Sequence, residues 1–141
     1  MKVLVSACLL GENCKYSGGN NRSPQVLKWL KDQGHEAVPV CPEVLGGLPV
    51  PRPPAEIVDG LVTDREGRNV DGAFRRGAEL ALETARREGA ELAVLQPRSP
   101  SCGVRQVYDG TFRGRKIAGQ GVFARLLAEN GFRLLEPEEL L

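Results

Sequence analysis

The stretch Lys2–Cys8, KVLVSAC, decides the fold. Lys2 to Ser6 is rich in valine and alternates only weakly, so it reads as a buried strand, and Cys8 follows it directly. The same arrangement recurs twice. EAVPV, residues 36–40, reads as a strand running into Cys41, and Glu91 to Leu95 reads as a strand whose following loop carries Cys102. Phe132 to Leu135 supplies a last short strand. Between these strands lie helical patterns. Ser23-Pro24 reads as an N-cap with proline at the first helical position, Val26, Leu27 and Leu30 give one apolar face, and Gly34 is the stop. The longest helix starts at Asp71 and ends at Gly89, with Phe74, Ala78, Ala81, Leu82 and Ala85 on one face and charged residues on the other. A further helix runs from Val122 to Asn130.

Strands alternating with helices at this spacing predict an α/β fold. The expectation is a three-layer, Rossmann-like single domain over residues 1–141, with a mostly parallel sheet of four to five strands flanked by helices. The segments 8–22, 41–56 and 97–119 are much longer than ordinary strand-to-helix loops of about 2 to 6 residues. In open parallel sheets, ligands bind outside the carboxyl ends of the strands, at a switch in strand order. All four cysteines lie in or at the start of these long segments. Residues 41–56, CPEVLGGLPVPRPPAE, read as an ordered loop, because proline and glycine exclude an ordinary helix or central strand. Ile57 to Thr63 reads as a short strand or hairpin arm, with a turn at Asp64 to Gly67.

The bulk composition narrows the function. A length of 141 residues fits one domain with its own core. A formal net charge of +1 argues against sequence-independent nucleic-acid binding. No apolar stretch approaches the roughly 18 residues of a membrane span, and the N-terminus lacks a signal-peptide layout, so a cytoplasmic protein is expected. In a reducing compartment, four cysteines point to metal binding or catalysis more than to disulfides.

Thiolates are soft ligands, suited to zinc, copper(I) and iron–sulfur clusters. No paired CxxC knuckle is present, and His35, the only histidine, sits before a strand and away from the edge where the thiols emerge. The plain alternative is that the cysteines only pack as small hydrophobes. Their neighbours argue for more. In SPSCG, Ser99 to Gly103, two hydroxyls flank the sulfur and can tune its charge, though turn chemistry explains them equally well. In CPE, Glu43 stands two residues beyond Cys41, placed to act as a general base or to pair with an arginine. Arg52 and Glu56 are expected to pair with each other and brace their loop.

The motifs SACLLG, CPEVLGGLPVPRPPAEI, SPSCG and YDGTF, in this order and over nearly the whole chain, resemble the DUF523 family, which includes the thiouracil desulfurases. That resemblance implies a [4Fe–4S] cluster on Cys8, Cys41 and Cys102, with one iron left without a protein ligand as acceptor for the substrate's sulfur. It also implies an acid/base role for Glu43 and a catalytic serine in SPSC, with Ser99 favoured and Ser101 the alternative. The implied activity is non-redox C–S cleavage of a thiolated pyrimidine such as 2-thiouracil, with thiolated tRNA left open as a substrate. The chain departs from the family at CKYSGG, where an aspartate commonly stands at Ser17, and at Gln96, where lysine is frequent. Cys14 is not counted as a ligand. A fourth thiolate would close the open iron and leave a non-catalytic iron–sulfur or zinc module, a sensor or a tRNA-thiolation accessory, as the competing reading.

Two softer features remain. Tyr108, in a turn with Asp109 and Gly110, could stack on a flat base or merely pack its loop. Gly119-Gln120-Gly121 opens the last helix, where amides could receive a carbonyl or anion and Gln120 could touch substrate.

Overall fold

The computed structural model describes residues 1–140; Leu141 lies outside the described residues. Four strands form one parallel sheet: β1 (Lys2–Ser6), β2 (Glu36–Val40), β5 (Leu92–Val94) and β8 (Arg133–Leu135), in the order β2-β1-β5-β8. The sequence pattern fits each position. Val3, Leu4 and Val5 in β1 and all of β5 are buried, as central strands covered on both faces must be. β2 lies at an edge, where Pro39, which has no N–H to donate, is tolerated.

Successive side chains of a strand point to opposite faces, and the core divides accordingly. Leu4, Val38, Val40, Ala93 and Leu95 pack against α3 (Asp71–Glu88) and α4 (Val122–Glu129) through Ala78, Ala81, Leu82, Ala85, Phe123 and Leu127. Val3, Val5, Leu92 and Val94 pack on the other face against α1 (Pro24–Asp32) through Val26 and Leu30. The result is the expected three-layer α/β architecture. Ser23 Oγ caps α1 by accepting from the Val26 amide at 3.2 Å, and α3 ends in left-handed Gly89, both as the sequence indicates.

The chain passes from β1 through α1 to β2 on one side, then returns through α3 to β5 on the other side of β1. β1 and β5 therefore flank the switch point, and the loops after β1, β2 and β5 meet there.

Three local expectations need correction. Ile57–Thr63 is not one arm: β3 (Ala55–Val58) and β4 (Leu61–Asp64) form an antiparallel hairpin turning at Asp59-Gly60, both with positive φ. An Asp-Gly pair favours that turn. The segment after Cys41 contains one helical turn, α2 (Pro42–Leu45), because Pro42 stands at its first position, where a missing N–H costs nothing. The segment 97–119 carries a second hairpin, β6 (Gln106–Tyr108) with β7 (Lys116–Ala118), too short for a periodic signal.

Candidate active site

A cleft of about 570 Å³ opens at the carboxyl edge of the sheet. Cys8, Cys14, Cys41, Cys102, Glu43, Ser99, Ser101 and Tyr108 all line it. The topology thus gathers three separate loops onto one site. Cys8 sits in a 3₁₀ turn (Ala7–Leu10) directly after β1. Cys41 is the N-cap residue of α2, and Glu43 lies in the first turn of that helix. Ser99–Cys102 form the turn after β5.

α2 reaches the site because it docks unusually close to α3. A Cβ on Gly77 would lie 1.7 Å from the Pro42 carbonyl oxygen, and one on Gly46 would lie 2.0 Å from the Ala73 carbonyl oxygen. Two facing glycines thereby set the depth at which Cys41 and Glu43 enter the cleft.

Glu43 is held from two sides. Arg52 Nε donates to Oε1 at 3.2 Å, while Arg52 Nη2 donates to the Cys14 carbonyl at 2.9 Å and Nη1 to the Pro49 carbonyl at 3.1 Å. Ser101 Oγ donates to Glu43 Oε2 at 2.8 Å. A hydroxyl has one proton, so in the 2.9 Å contact between Ser99 Oγ and Ser101 Oγ the donor is Ser99. Ser99 Oγ in turn accepts the amides of Ser101 and Cys102, at 3.1 and 3.0 Å. The order Ser99, Ser101, Glu43 is a directed hydrogen-bond chain ending on a carboxylate.

The expected Arg52–Glu56 pair does not form. Arg52 is taken by Glu43, and buried Glu56 accepts the amides of Gly110 and Phe112 at 2.9 and 3.1 Å, which fixes the YDGTF turn and places Tyr108 on the cleft wall. Gln120 is exposed and is not part of the cleft wall. The amides around it are already used: Gly121 donates to the Gly103 carbonyl at 2.8 Å and Val122 to the Pro100 carbonyl at 2.8 Å. The α4 N-terminus therefore anchors the SPSCG turn and presents no amide to substrate. His35 lies far from the cleft, 3.5 Å from the Met1 amine.

Among the described residues, no three His, Cys, Asp or Glu side chains converge tightly enough to clasp a single ion. Cys8, Cys41 and Cys102 enter one cleft from three separate loops. Polar side chains lie beside two of the sulfurs. Asn21 Nδ2 lies 3.8 Å from Cys8 Sγ, and Ser101 Oγ lies 3.6 Å from Cys102 Sγ. Ser6 Oγ accepts the Gln96 amide at 2.9 Å. Burial pushes the Cys102 thiol up to about 12 and raises Cys8 as well. The Cys14 hydrogen bond lowers Cys41 to about 7 and raises Cys14 in return. Cys41 Sγ donates to the Cys14 carbonyl oxygen at 3.7 Å. Buried thiols supplied with donors suit a bound metal cluster, whose positive irons supply the charge that burial withholds.

Ser6, Asn21, Arg52 and Phe112 join the cleft without a signal in the sequence strong enough to single them out for these contacts. Arg52 pairs with Glu43 instead of the expected Glu56, which meets the alternative reading of Glu43 as the partner of an arginine.

Comparison with known proteins points the same way. The model of the 2-thiouracil desulfurase family matches residues 3–139. A protein named "Uncharacterized protein YbbK", from Bacillus subtilis (strain 168), is 38% identical over 98% of this chain and 97% of its own. A solved [4Fe-4S]-dependent thiouracil desulfidase, TudS, superposes with a TM-score of 0.92 at 41% identity, covering 99% of this chain and 92% of that one. A family match that runs from β1 to the C-terminal turn takes in every loop of the cleft, so the chain belongs to the 2-thiouracil desulfurase family.

Proposed function

We propose that the protein is an iron–sulfur desulfurase that hydrolyses the thiocarbonyl of a thiolated pyrimidine such as 2-thiouracil, releasing the oxo base and hydrogen sulfide. The observation that carries this reading is the convergence of Cys8, Cys41 and Cys102 with the Ser99–Ser101–Glu43 chain on one cleft. The three cysteines would hold a [4Fe–4S] cluster, the kind of cofactor on which the solved thiouracil desulfidase TudS depends. When bound, such a cluster supplies a Lewis-acidic iron without a protein ligand, suited to a soft thiocarbonyl sulfur.

The chain's own residues supply the rest. Glu43 accepts a proton from the attacking water at the oxygen that Ser101 now occupies, while Arg52 keeps the carboxylate in place. Ser101 is 1% exposed and orients Glu43; once Glu43 holds the water's proton the chain reverses, Glu43 giving a proton to Ser101 and Ser101 to half-buried Ser99, which lines the cleft and passes its own proton to the leaving sulfur. Tyr108 and Phe112 offer flat walls for a heteroaromatic ring. Water replaces sulfur at one carbon and no electrons change hands.

The test is anaerobic purification with iron and acid-labile sulfide assays, then sulfide release from 2-thiouracil. About four irons and four sulfides per chain with sulfide release support the proposal. One zinc without sulfide overturns it.

A further inference from the structure

The three candidate ligand sulfurs do not have equivalent surroundings, and Cys8 stands apart. Its donor, Asn21, has its own orientation enforced by a charge. Lys15 Nζ donates to Asn21 Oδ1 at 3.2 Å. An ammonium has only donors, so the amide oxygen must face Lys15 and the NH₂ must face Cys8 Sγ, 3.8 Å away. The same residue is tied to Cys8 through the main chain, since the Asn21 amide donates to the Cys8 carbonyl at 3.0 Å. Lys15 is anchored in turn: its amide donates to the Gly19 carbonyl at 3.3 Å, and its ammonium lies 6.0 Å from the centre of the Tyr16 ring. Lys15 makes no ion pair among the described residues, and it and Asn21 both line the cleft.

We propose that Lys15 and Asn21 are positioning residues that act in series on Cys8, with the Lys15 charge polarising the Asn21 amide and the amide withdrawing electron density from the Cys8 sulfur. This rests on the reading of Cys8 as a cluster ligand. Hydrogen bonds to ligating sulfur raise a cluster's reduction potential and make its irons better electron acceptors. The arm would thereby set how strongly the metal site attracts a thiocarbonyl sulfur, from a loop that contributes no ligand except Cys8.

The experiment measures the midpoint potential of the cluster by spectroscopic redox titration of the anaerobically purified holoprotein, with iron and sulfide content measured alongside. Asn21→Ala is expected to keep its cluster and shift the potential negative. Lys15→Ala is expected to shift it in the same direction by less, and Lys15→Arg to restore the wild-type value. Because Lys15 acts through Asn21, adding Lys15→Ala to Asn21→Ala is expected to cause little further shift. Equal shifts for Lys15→Ala in both backgrounds would mean a direct charge effect and overturn the series arrangement. Unchanged potentials in both single variants with a full cluster would overturn the inference and leave the desulfurase reading standing. A wild-type protein that holds no cluster would sink both.

Discussion

Ser101 Oγ donates a hydrogen bond of 2.8 Å to Glu43 Oε2, joining the turn after β5 to the single helical turn after β2. Two loops that each carry a thiol are thus locked together by the pair that the proposed mechanism uses. Replacing Glu43 with Gln keeps the shape and the Arg52 contact through an amide oxygen but removes the base. Glu43→Gln is expected to retain full iron and sulfide content while desulfuration falls by about 10²–10⁴-fold, the usual worth of a general base. Ser99→Ala and Ser101→Ala are expected to fall towards the lower end of that range. Full activity in Glu43→Gln would refute the role given to it.

Cys14 separates the open site from a closed one. Its carbonyl accepts from Cys41 Sγ at 3.7 Å and it shares the cleft, so its position alone would suit a fourth ligand. Cys14→Ala is expected to keep about four irons per chain, whereas Cys8→Ala, Cys41→Ala and Cys102→Ala each lose the cluster. Iron and sulfide assays on the four variants decide it. Loss of the cluster in Cys14→Ala would assign a fourth thiolate.

Much of the fold was legible because its signals are local. Ser23-Pro24, the apolar face from Phe74 to Ala85 and the valine-rich β1 each announce themselves within a few residues. The three cysteines could be placed on one edge because parallel topology alone puts strand ends together. What could not be read was which polar groups meet across loops. Arg52 finds Glu43 and not the nearer-seeming Glu56, because the helical turn at Pro42 swings Glu43 towards it and the β3 strand sends Glu56 to the YDGTF turn. Gln120 followed the opposite course. A helix N-terminus suggested free amides, but the SPSCG carbonyls had already taken them.

The glycine pair under α2 makes a structural prediction that reaches the site. With a Cβ on Gly77 only 1.7 Å from the Pro42 carbonyl oxygen, Gly77→Ala forces α2 away from α3. Alanine suits a helix interior better than glycine, so propensity alone favours the variant by roughly 0.5–1 kcal/mol. Overpacking of about 1–3 kcal/mol opposes it and is expected to prevail. A lower urea midpoint together with weaker cluster loading is the expected result, because Cys41 and Glu43 both ride on the displaced turn. A stabilised variant with normal loading would show that the contact relaxes elsewhere.

Glu136 ties the Cys102 loop to the C-terminal turn, and its burial gives stability a pH dependence of known sign. It is 5% exposed and accepts the Val104 amide at 3.4 Å. Burial raises its pKa above the ordinary glutamate value, and the nearby Glu138 and Glu139 carboxylates add to the shift. A carboxyl raised in the folded state holds its proton more tightly there than in the unfolded chain. Its contribution is fully present below the unfolded pKa and is lost as pH rises through the folded one. Glu136→Gln carries no such titration and keeps an oxygen for the Val104 amide. Urea midpoints measured between about pH 4 and pH 7 are therefore expected to shift in favour of Glu136→Gln, relative to wild type, as the pH rises through the glutamate range. A wild-type protein that gains on the variant over that interval would mean the ionised carboxylate is the form the fold prefers, with the Val104 and Arg105 amides outweighing its burial.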